Sequence, residues 1–271
     1  MRKLLGIGLV VLLASCASNP YKTSGKVYAK QIRAFSKSLK KQEVTTFTDS
    51  AGNTLASQWV STVNFNLRKP NYVIIHHTAQ KSKQETLKTF TLAKTQVSAH
   101  YLIGADGTVT QLLSDYLRAW HGGVAKWGSI TDINSVAIGI ELDNDGFSPF
   151  TDAQINALLA VLQKLKTSYN IPRANFIGHS DIAPNRKVDP SGYFPWNKLA
   201  EKGFGYMPAP LLTEPIPTTF DPLLALRVIG YDTKDGAAAI AAFKLHFLGK
   251  NDGSNLSEED IRALYNVYCN Y

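Results

Sequence analysis

The fold is decided by the run Tyr72-Val73-Ile74-Ile75-His76-His77, in which an unbroken apolar stretch ends in two histidines. Its length is ordinary for a strand, and its β-branched side chains favour extended backbone. The run therefore predicts a buried strand. Such a strand would hold the imidazole of His76 in one fixed place.

Short apolar runs alternate with helical stretches from Asn71 to about Gly203. Further strands are predicted at His100–Gly104, Thr108–Leu113, Val136–Leu142 and Ala174–Gly178, and helices at Lys83–Gln96 and from a Thr151–Gln154 capping box to Tyr169. An Asp106-Gly107 turn predicts a hairpin, and Gly139 permits a close approach to its strand. The alternation predicts an α/β fold with a mixed central sheet flanked by helices.

A change of composition separates this region from the C-terminus. Four prolines, Pro208, Pro210, Pro215 and Pro217, indicate a stiff linker over residues 206–220. Residues 221–271 then predict a small three-helix domain. Its first helix begins at Asp221-Pro222, its third begins after Ser257, and the predicted buried positions are Leu223, Leu226, Ile229, Ile240, Phe243, Phe247, Ile261, Leu264 and Tyr268.

The composition is that of a globular protein with an excess of positive charge. The chain has 271 residues, 44% of them hydrophobic and 18% charged, and a formal net charge of +8. Basic residues recur from Lys22 to Lys41 without any acid, which suits an anionic surface or simply a solvated tether. No recognition helix or aromatic-basic platform accompanies the charge, so we expect no nucleic-acid partner.

The first residues indicate export and lipid attachment. Arg2-Lys3 precede an apolar run, Leu4–Ala14, that is too short to span a bilayer, so residues 1–15 are predicted to be a signal peptide. Leu13-Ala14-Ser15-Cys16 matches the bacterial lipobox. This match predicts a lipid on Cys16, a tether over residues 16–45 and, with Ala17 next, an outer-membrane location facing the periplasm. The alternative is an ordinary secretory signal with an incidental cysteine. With Cys16 bearing the lipid, Cys269 has no intramolecular partner for a disulfide.

Candidate metal ligands are spread over more than a hundred positions. Two histidines and an aspartate can hold one Zn²⁺ and leave its fourth position open to water. His179 follows a predicted strand, and Asp189 lies ten residues later in a loop that can return to the same point. The first ligand is either His76 or His77, which face opposite sides of the strand. Each residue alone has a plainer interpretation, as a packed histidine or a turn aspartate.

Two further residues suit hydrolysis at such a centre. Glu141 lies at the end of an apolar strand, where a carboxylate is costly without a partner or a function. We interpret it as the general base, the alternative being an N-cap or an ion-pair residue. Lys187 precedes Asp189 closely enough to stabilise an oxyanion, although an isolated lysine is more often a solvated surface residue.

Together these segments resemble the zinc-dependent N-acetylmuramoyl-L-alanine amidases of the type-2 amidase and peptidoglycan recognition protein superfamily. Gly178–Pro190 carries the most specific part of the resemblance, which extends over roughly residues 50–271. It implies one zinc per chain, held by His76, His179 and Asp189, with Glu141 and Lys187 as catalytic residues. His77 stands where the family often has tyrosine or asparagine. With its lipobox and its C-terminal helices, the domain organisation of the chain is similar to that of lipid-anchored members of the family.

The resemblance also implies a substrate. A zinc amidase domain at residues 46–205 would cleave the amide between N-acetylmuramic acid and L-alanine of peptidoglycan stem peptides, in cell-wall turnover or remodelling. Trp120–Gly123 resembles the family's substrate-groove segment, so His121 is a candidate substrate-binding residue, as are Arg186 and Asn185, for which surface placement is the alternative. The C-terminal helices resemble a peptidoglycan-binding domain, with a packing role as the alternative.

The expected partners are therefore peptidoglycan, muramyl peptides and, through the lipid, the membrane, and we expect a monomer. Two other functions compete with the amidase. A wall-binding or recognition lipoprotein would keep the fold without catalysis. A zinc peptidase would cut within the stem peptide instead of at its junction with the sugar.

Overall fold

The computed structural model describes residues 19–41, 46–48, 50–55, 57, 61–62, 67–209 and 215–271. The predicted signal peptide, Cys16 and residues 210–214 of the predicted linker lie outside these ranges. The chain divides into two compact units, one ending at Val63 and one spanning Asn64–Tyr271. None of the helices in the described ranges has the length and apolar content needed to cross a membrane.

The described part of the first unit contains one long helix and a small antiparallel pair of strands. Helix α1 spans Lys22–Lys40, and β1 (Phe47–Thr48) pairs with β2 (Thr54–Leu55). The sequence predicted only a weakly periodic tether over this region. Five lysines and two alanines in this segment favour the helix, because these residues lose little conformational freedom in one. Its role as a tether stays a prediction.

The second unit is built on a five-stranded sheet in the order β5-β4-β6-β3-β7. The strands are β3 (Tyr72–His77), β4 (Tyr101–Ile103), β5 (Val109–Gln111), β6 (Ala137–Leu142) and β7 (Phe176–Gly178). Strand β3 lies parallel to β6 and β7, β4 lies parallel to β6, and β5 is antiparallel to β4. The mixed sheet predicted from the alternating pattern is confirmed.

Helices flank the sheet and connect its strands. They are α2 (Lys83–Thr91), α3 (Ile133–Val136), α4 (Asp152–Tyr169), α5 (His179–Ile182), α6 (Trp196–Glu201), α7 (Pro222–Ile229), α8 (Gly236–Leu248) and α9 (Glu258–Tyr268). Two short 3₁₀ turns lie at Ala93–Thr95 and Arg173–Asn175.

Two helix predictions differ in detail from the structure. Helix α2 ends at Thr91, five residues early, because the Thr95 hydroxyl bonds the carbonyls of Thr89 and Leu92, both at 2.7 Å, and competes with the helical pattern. At α4, Thr151 accepts from the Gln154 amide, as predicted. The Gln154 side chain, however, donates to the Ile103 carbonyl at 2.9 Å and so does not complete the capping box.

The three C-terminal helices share a core with the sheet. Alternate residues of β3 point to opposite faces: Val73 and Ile75 pack with α4, whereas Ile74 packs with α7, α8 and α9. The sequence predicted a separate small domain. Instead, the C-terminal helices cover Ile74 and Ile177 of the sheet, and both isoleucines are fully buried. Without these helices the two side chains would be exposed to water. Most predicted apolar positions of these helices are buried or partly buried, but Leu223 is 39% exposed.

Candidate active site

The sheet brings the predicted site residues to one edge. His76 lies near the carboxyl end of β3 and is in register with Glu141 on the neighbouring parallel strand β6. His179 follows β7 directly as the first residue of α5. Because β3, β6 and β7 run parallel, their carboxyl ends open onto the same edge, where α/β folds place their sites.

Three predicted ligand atoms converge at this edge. The Nδ1 atoms of His76 and His179 lie 2.9 Å apart, and Asp189 Oδ2 lies 3.2 Å from the first and 3.1 Å from the second. All three residues are buried. Among the described residues they form the group suited to hold a metal ion. The set of two imidazoles and one carboxylate fits Zn²⁺ with one position left for water.

The other imidazole nitrogens of the two histidines have acceptors. His76 Nε2 lies 3.1 Å from His121 Nδ1, and His179 Nε2 lies 3.1 Å from the Gly122 carbonyl oxygen. A metal-binding histidine ordinarily donates its remaining N–H in this way, which fixes both the tautomer and the ring orientation. The contacts therefore leave the Nδ1 atoms as the ligating atoms.

His77 serves a different purpose. Its Nδ1 accepts a hydrogen bond from the Ser191 amide at 3.2 Å, and its ring lies against Gly146. It faces the side of the sheet opposite to His76, as the alternation along a strand requires. The choice that the residue pattern left open is therefore decided by geometry in favour of His76.

His121 is held tightly beside the metal-binding group. A Cβ on Gly139 would lie 2.4 Å from its ring, so only glycine fits at that position of β6. The amides of His121 and Gly122 both donate to Asn134 Oδ1, at 3.1 and 2.8 Å. The close approach expected at Gly139 is confirmed, whereas Asn134 carried no signal in the sequence. Direct contact of His121 with substrate stays a prediction.

The protonation states of His76 and Asp189 suit metal binding. Burial and the neighbouring His179 lower the pKa of His76 to about 4, so its imidazole is neutral near pH 7. Burial alone would raise the pKa of Asp189, but hydrogen bonds to His179 and His76 outweigh it and hold that pKa well below its usual range. Neutral imidazoles and an ionised carboxylate are the forms that bind a metal.

Glu141 faces the same cavity with an unpaired oxygen. Its Oε2 is buried and has no hydrogen-bond partner in the described part of the chain. Burial, together with the charge of Asp189, raises the pKa of Glu141 to about 8, and the charge of Lys187 opposes this shift. A carboxyl group in this state can hold a proton near neutral pH and release it.

The residues before Asp189 occupy three different environments. Lys187 is partly buried and lines the cavity beside Glu141. The Arg186 Nη2 donates to the carbonyls of Gly122 and Val124, at 2.7 and 2.8 Å, and so braces that loop while its side chain also lines the cavity. Asn185 is exposed and is not among the described residues lining the cavity. Contacts of Arg186 and Asn185 with substrate stay predictions.

The cavity has a volume of about 410 Å³. The metal-binding group, Glu141 and Lys187 form part of its lining. Its other walls combine apolar and hydroxyl-bearing side chains: Thr86, Thr89, Phe90, Val97, Ser98 and Trp120. A ligand with both apolar and hydrogen-bonding groups fits such a lining.

A buried aspartate links this site to the C-terminal helices. Asp181, in α5, accepts hydrogen bonds from the Gly178 amide at 2.6 Å, the Tyr231 hydroxyl at 2.6 Å and His246 Nδ1 at 2.7 Å. The helix that begins with His179 is thereby fixed to α8 and to Tyr231, two residues after the end of α7. The sequence placed His246 only as a helix residue and gave no signal for this network.

Comparison with known proteins places this geometry in a family. A family model described as N-acetylmuramoyl-L-alanine amidase matches residues 66–192. The N-acetylmuramoyl-L-alanine amidase AmiD of Escherichia coli is 34% identical over 206 residues, covering 65% of this chain and 74% of AmiD. The 1,6-anhydro-N-acetylmuramyl-L-alanine amidase AmpD of Haemophilus influenzae is 42% identical over 104 residues, covering 38% of this chain and 56% of AmpD.

Solved structures agree with the sequence matches. A complex of E. coli AmiD with the substrate anhydro-N-acetylmuramic acid-L-Ala-D-gamma-Glu-L-Lys superposes with a TM-score of 0.68 at 30% identity, covering 83% of this chain and 97% of that one. AMPDH3 from Pseudomonas aeruginosa has a TM-score of 0.68 at 28% identity, covering 79% and 96%. By the extent of its match to AmiD and by the residues gathered at its sheet edge, the chain belongs to the N-acetylmuramoyl-L-alanine amidase family.

Proposed function

We propose that this chain is a zinc-dependent amidase that hydrolyses the bond between N-acetylmuramic acid and L-alanine in peptidoglycan stem peptides. The observation that carries the proposal is the convergence of His76, His179 and Asp189 within 3.2 Å of one another. Glu141 and Lys187 line the same cavity. AmiD, 34% identical to this chain, carries that activity in its name.

The three converging residues would hold one Zn²⁺ per chain. When bound, the metal supplies Lewis acidity, which activates a water near neutral pH and polarises the substrate carbonyl. The chain contributes the shape of the site. His121 and the Gly122 carbonyl orient the two imidazoles, and the surrounding sheet excludes bulk water from their buried side.

Glu141 is proposed to move the proton. Its carboxylate accepts the proton of the attacking water and then delivers it to the leaving amine of L-alanine. The raised pKa suits both steps, because a carboxyl group that ionises near neutral pH is an effective base and an effective acid. Removal of such a group costs ~10²–10⁴-fold in rate.

Lys187 is proposed to stabilise the oxyanion that forms at the substrate carbonyl. It is partly buried at the cavity wall, where a fixed positive charge acts through less water than at an open surface. Its influence already extends to Glu141 and His76, whose pKa values it lowers.

We further propose that the mature chain is attached to the periplasmic face of the outer membrane through lipid on Cys16. The lipobox Leu13-Ala14-Ser15-Cys16 and the following Ala17 support this location. Peptidoglycan and its muramyl peptides would then lie within reach of the site. Metabolic labelling with palmitate, compared between the full chain and Cys16→Ser, tests the attachment; equal labelling of both would refute it.

The function is tested with a chain beginning at residue 17, its zinc content and a muramyl-peptide digest analysed by mass spectrometry. We expect one zinc per chain and release of stem peptide that begins at L-alanine. Glu141→Gln should lower kcat ~10²–10⁴-fold with zinc content unchanged. Glu201→Gln, on the exposed end of α6, is the matched control and should keep full activity.

Two results would replace the proposal. Cleavage inside the stem peptide would make the protein a zinc peptidase. Inactive protein that holds no zinc and still binds purified cell walls would make it a recognition lipoprotein. The bond broken distinguishes the amidase from the peptidase, because only the amidase leaves the amine of L-alanine free.

A further inference from the structure

Helix α1 carries all its positive charge on one stripe. Six basic residues follow one another at intervals of three or four positions: Lys22, Lys26, Lys30, Arg33, Lys37 and Lys40. At 100° per residue this spacing places them within an arc of ~80°. The helix contains no aspartate or glutamate, so nothing within it neutralises the stripe.

An apolar stripe lies on the other side of the same helix. Tyr28, Ile32, Phe35 and Leu39 also follow at intervals of four, three and four positions. Their arc is ~60° wide and centred ~150° from the basic stripe. No residue of α1 is buried, and Phe35 is 56% exposed.

This combination narrows the class of partner. A polyanion such as cell-wall polymer would bind only the basic stripe, and the apolar stripe would stay exposed to water. A helix with an apolar stripe and a basic polar face instead matches helices that lie in the interface of an anionic bilayer. The apolar stripe enters the acyl boundary, and the long lysine stems let the charges reach the headgroups.

The position of α1 in the chain points the same way. Cys16, the proposed site of lipid attachment, precedes Lys22 by six residues. A lipid there would hold the helix at a membrane surface. We propose that α1 lies in the surface of an anionic phospholipid bilayer, with Tyr28, Ile32 and Phe35 in the acyl boundary. The inference uses the proposed lipid only for its location, and its test omits the lipid.

The experiment uses the zinc-loaded chain from residue 17 onward, which retains every described residue. Co-sedimentation is measured with vesicles of mixed phosphatidylglycerol and phosphatidylcholine, with pure phosphatidylcholine vesicles and with purified sacculi. We expect binding to the anionic vesicles at least ~10-fold tighter than to the neutral ones, and weakening as salt is raised.

Two variants separate the contributions of the stripes. Ile32→Ser with Phe35→Ser keeps every charge and should reduce vesicle binding ~10-fold or more. Lys26→Gln, Lys30→Gln and Lys37→Gln should do the same by removing charge. The matched control changes three exposed lysines of the second unit, Lys94, Lys164 and Lys202, to glutamine and should bind like the parent chain.

Spectroscopy tests whether a variant loses membrane contact or loses the helix. Phe35→Trp should shift its fluorescence to shorter wavelength on anionic vesicles, and the same vesicles should preserve helical circular dichroism. Muramyl-peptide hydrolysis by each variant, measured in solution, should stay unchanged; its loss in the parent would count against the amidase and not against the membrane contact.

Three outcomes would overturn the inference. Equal binding to neutral and anionic vesicles, or none to either, would remove the anionic surface as partner. Binding to sacculi without binding to vesicles would assign the helix to wall polymer. A dimer that forms through the apolar stripe and does not bind vesicles would assign the stripe to a second copy of the chain.

Discussion

At the scale of single residues, the orientation of His76 depends on a neighbour, His121, that is not itself one of the three candidate metal ligands. His121 Nδ1 is the acceptor opposite His76 Nε2, at 3.1 Å, and Gly139 leaves the space that its ring fills. Such a partner of a metal ligand fixes its tautomer and its direction. His121 is thus a positioning residue, whether or not it also meets substrate.

We predict that His121→Phe lowers zinc affinity by ~10–100-fold, because it retains a ring but removes the acceptor for His76. His121→Asn, which keeps an acceptor oxygen, should lose less. Competition with a chromophoric chelator measures the affinity directly and without reference to activity. Trp120→Phe, at the adjacent exposed position, is the control and should bind zinc like the parent. Equal affinity of the parent and His121→Phe would contradict the positioning role.

The strand that carries His76 was predictable because its apolar run is local information. Its partner His121 was found in a motif and interpreted as a groove residue. The sequence could not reveal the contact, because the two residues are 45 positions apart and meet only through β6 and the loop that Asn134 holds.

At the scale of elements, α5 is too short to be stable alone and owes its position to the C-terminal helices. Its Asp181 is fully buried and accepts hydrogen bonds from Tyr231 and His246, while the His246 ring stacks on Trp196 at 3.8 Å. A charge in such surroundings is tolerated only with partners. The network therefore fixes the element that carries His179.

Tyr231→Phe tests this network. The change removes the hydroxyl that donates to Asp181 and should lower the free energy of unfolding by ~1–3 kcal/mol, because a buried carboxylate oxygen loses its partner. Zinc affinity should fall with it, since α5 loosens. Tyr193→Phe, at an exposed position, should leave both within error. Urea denaturation measures the free energy of unfolding, and chelator competition measures the zinc affinity. A loss of stability with unchanged zinc affinity would show that the Asp181 network does not support the metal-binding group.

Most elements were predictable in kind and less so in extent. Helix α4 was recognised from its cap and apolar period, and α9 from Ser257, which forms a full capping box with Asp260. The early end of α2 was not predictable. Whether the Thr95 hydroxyl donates to solvent or to backbone carbonyls is settled only in the folded chain.

At the scale of the whole molecule, the C-terminal helices cover one face of the sheet. Phe243 and Leu264 are fully buried in the cluster that contains Ile74 and Ile177. Removing the helices would expose this face. The unit Asn64–Tyr271 is therefore expected to unfold in one transition.

Truncation after Met207 tests this expectation. We predict that the shortened chain fails to fold or exposes apolar surface that binds a hydrophobic dye, because the sheet loses its second layer. Phe243→Ala in the full chain should cost ~3–5 kcal/mol while keeping a single transition. Circular dichroism and calorimetry measure both. A truncated chain that folds, binds zinc and hydrolyses substrate would show that the helices form an independent domain.

Stability against pH is also a property of the whole unit. In the chelator-treated protein, burial lowers the pKa of His76 and His100 to about 4 and lowers that of His121 well below 6.5. The unfolded chain takes up these protons below about pH 6.5, so stability falls as pH decreases toward 4. Glu141 acts oppositely: its pKa of about 8 makes stability fall as pH rises from about 4.5 to 8.

We therefore predict a stability maximum near pH 6.5 for the metal-free protein, with the steeper decline on the acid side. Each proton bound differently by the folded and unfolded chain changes the free energy of unfolding by ~1.4 kcal/mol per pH unit. Several histidines titrate on the acid side of the maximum, whereas Glu141 alone acts on the alkaline side. Urea midpoints across pH 4–9 measure the profile. Glu141→Gln should flatten the alkaline side and steepen the acid side above about pH 4.5, where Glu141 opposes the histidines. An unchanged alkaline slope in that variant would contradict the raised pKa of Glu141.

The sequence by itself determined the α/β class and singled out the ligand set, Glu141 and Lys187 as candidate site residues, because strand patterns and motif spacing are encoded over short stretches. Between His76 and His77 the residue pattern left the choice open, and the tertiary structure agrees with the family resemblance in favouring His76. Only the tertiary structure placed His121 behind the ligands and joined Asp181 to Tyr231 and His246. Those contacts join residues far apart in the sequence. Their partners are chosen by packing across the sheet and its flanking helices, which no local pattern records.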